Sequence, residues 1–253
     1  MMRNQSQIYI VGAGIAGLSA AVFAIRDGGI KGENIHLFEE RDVLGGALDA
    51  RWGRNKSYSM RGARLINERA YQCYFDMLSA IPCLADQEEM EKSGGKYLEN
   101  RRPWRSVKDE IFVFNKTHRL NSVTRLVGKE GSRVDHTKLG LDHIDRIAII
   151  ALILMFEEAV DGKRIDDYFR SSFFKTNFWY LFASMFGFEP WHSLMECRRY
   201  LRRFCHEAPN ITTLIGGWNT PYNNHESIVL PIERWLAKQK VDIQTGAKVT
   251  DVD

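Results

Sequence analysis

The sequence predicts an α/β fold built on a Rossmann-like dinucleotide-binding unit, on three observations near its N-terminal end. Ile8-Tyr9-Ile10-Val11 is an apolar run suited to a buried parallel strand. It leads at once into Gly12-Ala13-Gly14-Ile15-Ala16-Gly17 and a helix-forming stretch over residues 18–24. A second apolar run, Ile35-His36-Leu37-Phe38, then ends in Glu39, 22 residues beyond Gly17 (39 − 17 = 22).

Each element has a physical reason. Gly12 allows the tight turn out of the strand, Gly14 lets the backbone approach a pyrophosphate, and Gly17 lets the helix pack close to the strand. The helix start offers unpaired N–H groups and its positive dipole end, so the backbone of Gly12, Ala13, Gly14, Ile15, Ala16 and Gly17 is the expected phosphate cradle. Asp27-Gly28-Gly29 is the expected helix stop. Glu39, with Glu40 beside it, is placed to accept both hydroxyls of an adenosine ribose, and an acid there disfavours the extra phosphate of NADP. Leu44-Gly45-Gly46 follows; an NAD site gives this Gly-Gly pair no role, whereas it resembles the extended motif of two-domain FAD flavoproteins such as amine oxidases and phytoene desaturases. FAD is therefore preferred over NAD, and over a Rossmann half that binds nothing.

Further along, a helix is expected near residues 68–79, followed by a polar, glycine-punctuated and loop-rich excursion over 84–138. Helices follow over 142–160, 164–186 and 191–206. Ile228, Val229, Ile232, Trp235 and Leu236 recur at helical spacing within 225–239. Residues 241–244 and 247–252 read as two strands with Thr245-Gly246 between them; in flavoproteins of this class the second returns to the cofactor, and the backbone near Val249 meets the adenine. The expected division is a FAD-binding Rossmann half over 1–83, a loop-rich and helical substrate-side region over 84–210, and a return to the FAD domain over 211–253.

Composition excludes several classes. The net charge is 35 − 32 = +3 and 44% of residues are hydrophobic, which removes a disordered chain, a collagen-like repeat and a basic nucleic-acid tail. Cys73, Cys83, Cys197 and Cys205 form no CxxC pair, favouring a reduced, cytoplasmic protein without disulfides. The apolar stretch over 8–25 carries three close-spaced glycines, which argues against a spanning helix. The run over 147–156 reaches only about 15 Å of a ~30 Å hydrocarbon core. Arg101, Arg102 and Arg105 around Trp104, and Arg198, Arg199, Arg202 and Arg203 around Tyr200, keep peripheral membrane contact open, although solvated or ion-paired faces are the favoured reading. His192 and Glu196 lie at i, i+4, and His206-Glu207 follows, yet no third ligand completes a metal site. The chain has no GxSxG elbow and no cysteine with an evident histidine partner.

The strings Met60-Arg61-Gly62-Ala63-Arg64, Phe173-Phe174-Lys175-Thr176-Asn177-Phe178-Trp179-Tyr180, Phe186-Gly187-Phe188-Glu189-Pro190-Trp191-His192-Ser193 and Tyr222-Asn223-Asn224-His225-Glu226-Ser227 occur in this order. Together they resemble the oleate hydratase family, also called the myosin-cross-reactive antigen family, across essentially the whole chain. The resemblance implies a FAD-dependent hydro-lyase that adds water to the cis double bond of oleate or a similar unsaturated fatty acid. The flavin there organises the site and is not consumed. It also implies a tyrosine proton donor, for which Tyr180 is the best match, and a glutamate that activates water. Arg61, Gly62 and Arg64 match the family's RGGR loop near the flavin, with Ala63 in place of its second glycine. Where many members continue into glutamate this chain has Leu65-Ile66-Asn67, so Glu68 takes the role only through a register shift. A homodimer stays open. A flavin oxidoreductase of the amine oxidase class and an inactive truncated paralogue are the alternatives. The family runs longer, so the chain is expected to be incomplete at its C-terminal end.

Overall fold

A computed structural model describes residues 6–52, 57–61, 64–94, 104–122, 125–135 and 137–252. In chain order it holds β1 (Ile8–Val11), α1 (Ile15–Arg26), β2 (Ile35–Glu39), β3 (Ala50–Trp52), β4 (Tyr58–Met60), α2 (Gln72–Ser79), α3 (Leu84–Lys92), α4 (Val107–Thr117), α5 (His143–Leu154), α6 (Ile165–Tyr168), α7 (Asn177–Phe186), α8 (Leu194–Arg203), α9 (Leu230–Lys238) and β5 (Asp242–Thr245). The chain divides into two compact units, Met1–His118 with Trp218–Asp253, and Arg119–Gly217.

The first unit is mixed α/β around a parallel sheet of order β1-β2-β5. Ile8 pairs with Ile35, Ile10 with Leu37, and Leu37 with Ile243. This inner face packs against Leu18, Ala21 and Val22 of α1 and Ile232 and Leu236 of α9. Each such side chain taken fully out of water contributes about 1.5–3 kcal/mol before the entropy of ordering it is charged. Helix α1 stops where its sequence stops it, with the N–H groups of Asp27 and Gly28 both donating to Phe23 O. Among the described residues β1 pairs with β2 alone, and Tyr9 and Val11 are 66% and 61% exposed. Strands β3 and β4 form a separate antiparallel ribbon.

Several elements differ from expectation. The stretch over 84–138 is not simply loop: it contains α3 and α4. Helix α4 is fixed by a capping box, in which Ser106 Oγ accepts from Asp109 N at 3.0 Å and Asp109 Oδ2 accepts from Ser106 N at 3.1 Å. Val107 and Ile111 of α4 enter the core of the first unit, so residues 84–118 lie with the nucleotide-binding end of the chain. Residues 247–252 form no strand. Gly246 N donates to Arg41 O and Ala247 N to Glu39 O, both at 2.9 Å, so the chain leaves β5 along the end of β2, and among the described residues no strand pairs with it beyond that point.

The second unit is helical. Its core joins Leu152 of α5, Ile165, Phe169, Phe173, the buried face of α7, and Leu194, Cys197 and Leu201 of α8. The continuous helix expected over 164–186 is broken into α6 and α7. Thr176 is extended there and its Oγ1 accepts from Trp179 N at 3.1 Å, starting α7 afresh. Helix α5 ends at Leu154 rather than running to 160, because Met155 turns to extended backbone.

Candidate functional site

Two glycine-bearing loops meet at the end of the parallel sheet. Gly12 has φ +93°, a conformation that favours glycine, and its N–H donates to Phe38 O at 2.7 Å. A Cβ on Gly17 would stand 2.0 Å from Gly12 O, so only glycine lets α1 sit this close to the turn. Gly45 N donates to Ala13 O at 2.8 Å, and a Cβ on Gly46 would lie 3.1 Å from Gly14 Cα. The Gly-Gly pair thus lies directly against the glycine turn. Helix α1 begins at Ile15, with Gly14 as a cap that has no side chain and no acid in the first turn, so neither the cap nor the helix's own first turn supplies an anion to its leading N–H groups. Ala16 in that first turn is exposed.

Glu39 closes β2 beside this cradle and is only 9% exposed. Its Oε2 accepts from Ala13 N at 2.8 Å and its Oε1 from Arg41 N at 3.1 Å, which fixes the carboxylate's direction. Glu40 points to solvent. Arg61 is drawn toward the same region by Asp49, a carboxylate 7% exposed just past the Gly45-Gly46 turn, through an Nε to Oδ2 bond of 2.9 Å. Arg64 N donates to Asn224 Oδ1 at 3.2 Å. Gly62 and Ala63 between them lie outside the described residues. Val249 lies past the end of β5 with no strand around it, against the expectation that a strand carries it to the adenine.

Glu68 is exposed, in a turn where Asn67 Oδ1 accepts from Arg69 N and Ala70 N ahead of α2. Tyr180 belongs to the second unit. Helix α7 buries Phe178, Trp179, Leu181 and Phe182 and leaves Tyr180 49% exposed, so its phenol is not consumed by the aromatic core. Asp49, Asn224 and Val229 were invisible as site residues in the sequence. Val229 packs where a Cβ on Gly45 would come within 2.9 Å, a contact between residues far apart in the chain.

The histidine and glutamate pairs singled out in the sequence have local partners. Glu196 pairs with Arg199 at 2.7 Å, His206 lies 3.5 Å from Glu207, and His192 Nδ1 accepts from Glu189 N. Among the described residues no three His, Cys, Asp or Glu side chains converge as metal ligands. The four cysteines are free; burial pushes the Cys83 thiol up to about 11 and the Cys197 thiol up to about 12. Of the cationic clusters, Arg101 and Arg102 lie outside the described residues, Arg105 pairs with Asp86, and Arg198 and Arg199 pair with Glu157, whose carboxyl they hold below the usual range. No helix among the described residues is long and apolar enough to cross a membrane.

Known proteins can be set beside this geometry. The chain is 39% identical over 249 residues to an oleate hydratase of Streptococcus pyogenes serotype M49 (strain NZ131), covering 98% of this chain and 39% of the relative. It is 28% identical over 265 residues to a linoleate hydratase of Lactiplantibacillus plantarum, covering 98% and 44%. The chain therefore spans less than half the length of these relatives. Among solved structures, a triple mutant of putrescine oxidase superposes with a TM-score of 0.54 at 13% identity, covering 96% of this chain and 51% of that one. An oxidoreductase from Methanosarcina mazei gives 0.52 at 14% identity, covering 95% and 51%. At these identities the likeness concerns the fold alone. The MCRA family model matches residues 5–253, nearly the full length, and the chain belongs to the MCRA family.

Proposed function

We propose that this chain carries dinucleotide-binding and substrate-side elements of a FAD-dependent fatty-acid hydratase. The substrate class is an unsaturated fatty acid such as oleate, after the hydratases to which it is similar. The observation that carries the cofactor reading is the opposed pair Gly14 and Gly46, held by the Gly45 to Ala13 hydrogen bond beside the uncapped start of α1. A phosphate can approach main-chain N–H groups there without meeting a Cβ. Glu39, already oriented by two backbone donors, has the charge and direction to accept ribose hydroxyls. Arg61, steadied by Asp49, adds a cation toward the same anion. Bound FAD supplies shape and electrostatics to a hydration that needs no net electron transfer.

Hydration of an alkene needs a proton for one carbon and a water oxygen, freed of its proton, for the other; Tyr180 is the candidate donor of the first and, taken separately, Glu68 the candidate acceptor of the second. The π bond is consumed, one C–H and one C–O bond form, and exchange with water returns each group to its starting protonation state. The exposed phenol on α7 favours Tyr180 for this part. The accompanying readings are a cytoplasmic location, peripheral membrane contact and a homodimer.

The test is to supply purified protein with saturating FAD and oleate and to look by mass spectrometry for a product heavier by one water, with no net bleaching of flavin absorbance. Absence of that product, or turnover that bleaches the flavin and requires an electron acceptor, rejects the hydratase reading for this chain.

A further inference from the structure

Residues His225–Val229 form a π-helical turn that runs into α9, and Leu230 N donates back to His225 O. Such wide turns are rare and concentrate at functional sites. This one adjoins the second loop of the cradle and the segment at Arg64: Val229 packs against Gly45, and Asn224, which caps the turn, accepts from Arg64 N. The polar side chains around it are spoken for. Asn223 Oδ1 accepts from Glu226 N and its Nδ2 donates to Glu226 Oε2, both at 2.9 Å. Asn224 Nδ2 donates to Thr220 Oγ1 at 3.3 Å, and Ser227 Oγ accepts from Tyr222 N at 3.1 Å. His225 is the exception. Its Nδ1 is buried and has no hydrogen-bond partner among the described residues. Gln87 and Arg198 also bury an unpaired atom, but each bonds through another atom of its side chain. A buried polar atom left unpaired is a standing penalty on the fold, which a partner absent from the chain relieves.

We propose that His225 contacts the flavin half of the bound dinucleotide, its imidazole hydrogen-bonding the cofactor beyond the adenosine ribose. This rests on the flavin reading above. The two loops that the turn touches carry Gly45 and Arg64, whereas the ribose reading belongs to Glu39 at the end of β2. His225 therefore separates recognition of the flavin from recognition of the adenine nucleotide that every dinucleotide shares.

The experiment titrates wild-type protein, His225→Phe and His225→Asn with FAD by fluorescence and with ADP by calorimetry. Loss of one hydrogen bond to a buried partner predicts a rise of about tenfold in the FAD Kd of His225→Phe. Its ADP Kd stays within about twofold of wild type, since the lost bond lies outside ADP. His225→Asn, whose amide places a polar atom near the position of Nδ1, retains most of the FAD affinity, and the visible band of bound flavin shifts in the phenylalanine variant only. If the phenylalanine variant does not fold, His225→Leu is titrated in its place. Unchanged FAD affinity, or equal losses for FAD and ADP, overturns the assignment while leaving the flavin reading intact. Failure of the wild-type chain to bind FAD at all overturns both.

Discussion

Glu39 Oε2 accepts a hydrogen bond from the backbone N–H of Ala13 at 2.8 Å, so the last residue of one strand fixes the turn that follows another. Glu39→Ala leaves the N–H groups of Ala13 and Arg41 without their partner, at a cost of about 1–3 kcal/mol in stability. Affinity for ADP and FAD falls together, because both carry the ribose. Glu39→Arg reverses the charge there and lowers both affinities further. Denaturant unfolding and nucleotide titration check this, and unchanged binding by either variant removes the ribose role.

Gly45→Ala meets two obstacles at once. The residue sits at φ +110°, and the new methyl would stand 2.9 Å from a methyl of Val229. Left-handed strain and overpacking together predict a loss of about 2–4 kcal/mol. Gly29→Ala provides the contrast: φ is +65° there with nothing within 4 Å, so only the smaller conformational cost of about 1 kcal/mol applies. Urea midpoints for the two variants should separate clearly.

Thr176 starts the helix that carries Tyr180. Its Oγ1 accepts from Trp179 N at 3.1 Å and donates to Phe173 O at 2.7 Å, with the side chain buried. Thr176→Val removes both bonds and is expected to cost about 1–2 kcal/mol. If Tyr180 gives the proton, hydration by this variant drops in kcat with FAD affinity intact. Tyr180→Phe abolishes product without lowering the unfolding temperature, as befits an exposed phenol.

The buried thiols set an alkaline limit. Cys197 and Cys83 are raised by desolvation from an ordinary 9.0 to about 12 and about 11, so the unfolded chain gives up these protons first. Between about pH 9 and 12 the unfolded state binds fewer protons than the folded one, and stability falls as pH rises through that window. Below pH 9 neither thiol contributes a slope. Cys197→Ala should flatten the alkaline fall measured by thermal unfolding. In the native state Cys73 and Cys205, which are exposed, react with a thiol reagent ahead of Cys83 and Cys197.

The βαβ unit was readable because everything that defines it is local: an apolar run, three glycines at fixed spacing, an acid at a strand end. Helix α4 was equally local, and Ser106 with Asp109 announced its start, but its polar surroundings masked the box. The extra strand over 247–252 failed for the opposite reason. Its alternating pattern suits a strand, yet a strand exists only where a neighbour offers hydrogen bonds, and Ala247 finds just the end of β2. Asn224 reaches Arg64 across 160 positions and Val229 reaches Gly45 across a similar span, so no spacing rule could name them. The resemblance motifs pointed at the segment around His225 without saying what it touches, and its unpaired nitrogen is a property of packing alone.

The sheet has a margin at β1, where the main chain beyond β2 meets no other strand among the described residues. Among the described residues no strand pairs with those amides, and the side chains of Tyr9 and Val11 on the same strand are exposed. Any extended, dry segment competes with the solvent for that border, so concentrated solutions of this chain should scatter light increasingly with time. A short peptide of alternating apolar residues should seed the effect, and a lysine in place of Val11 should suppress it.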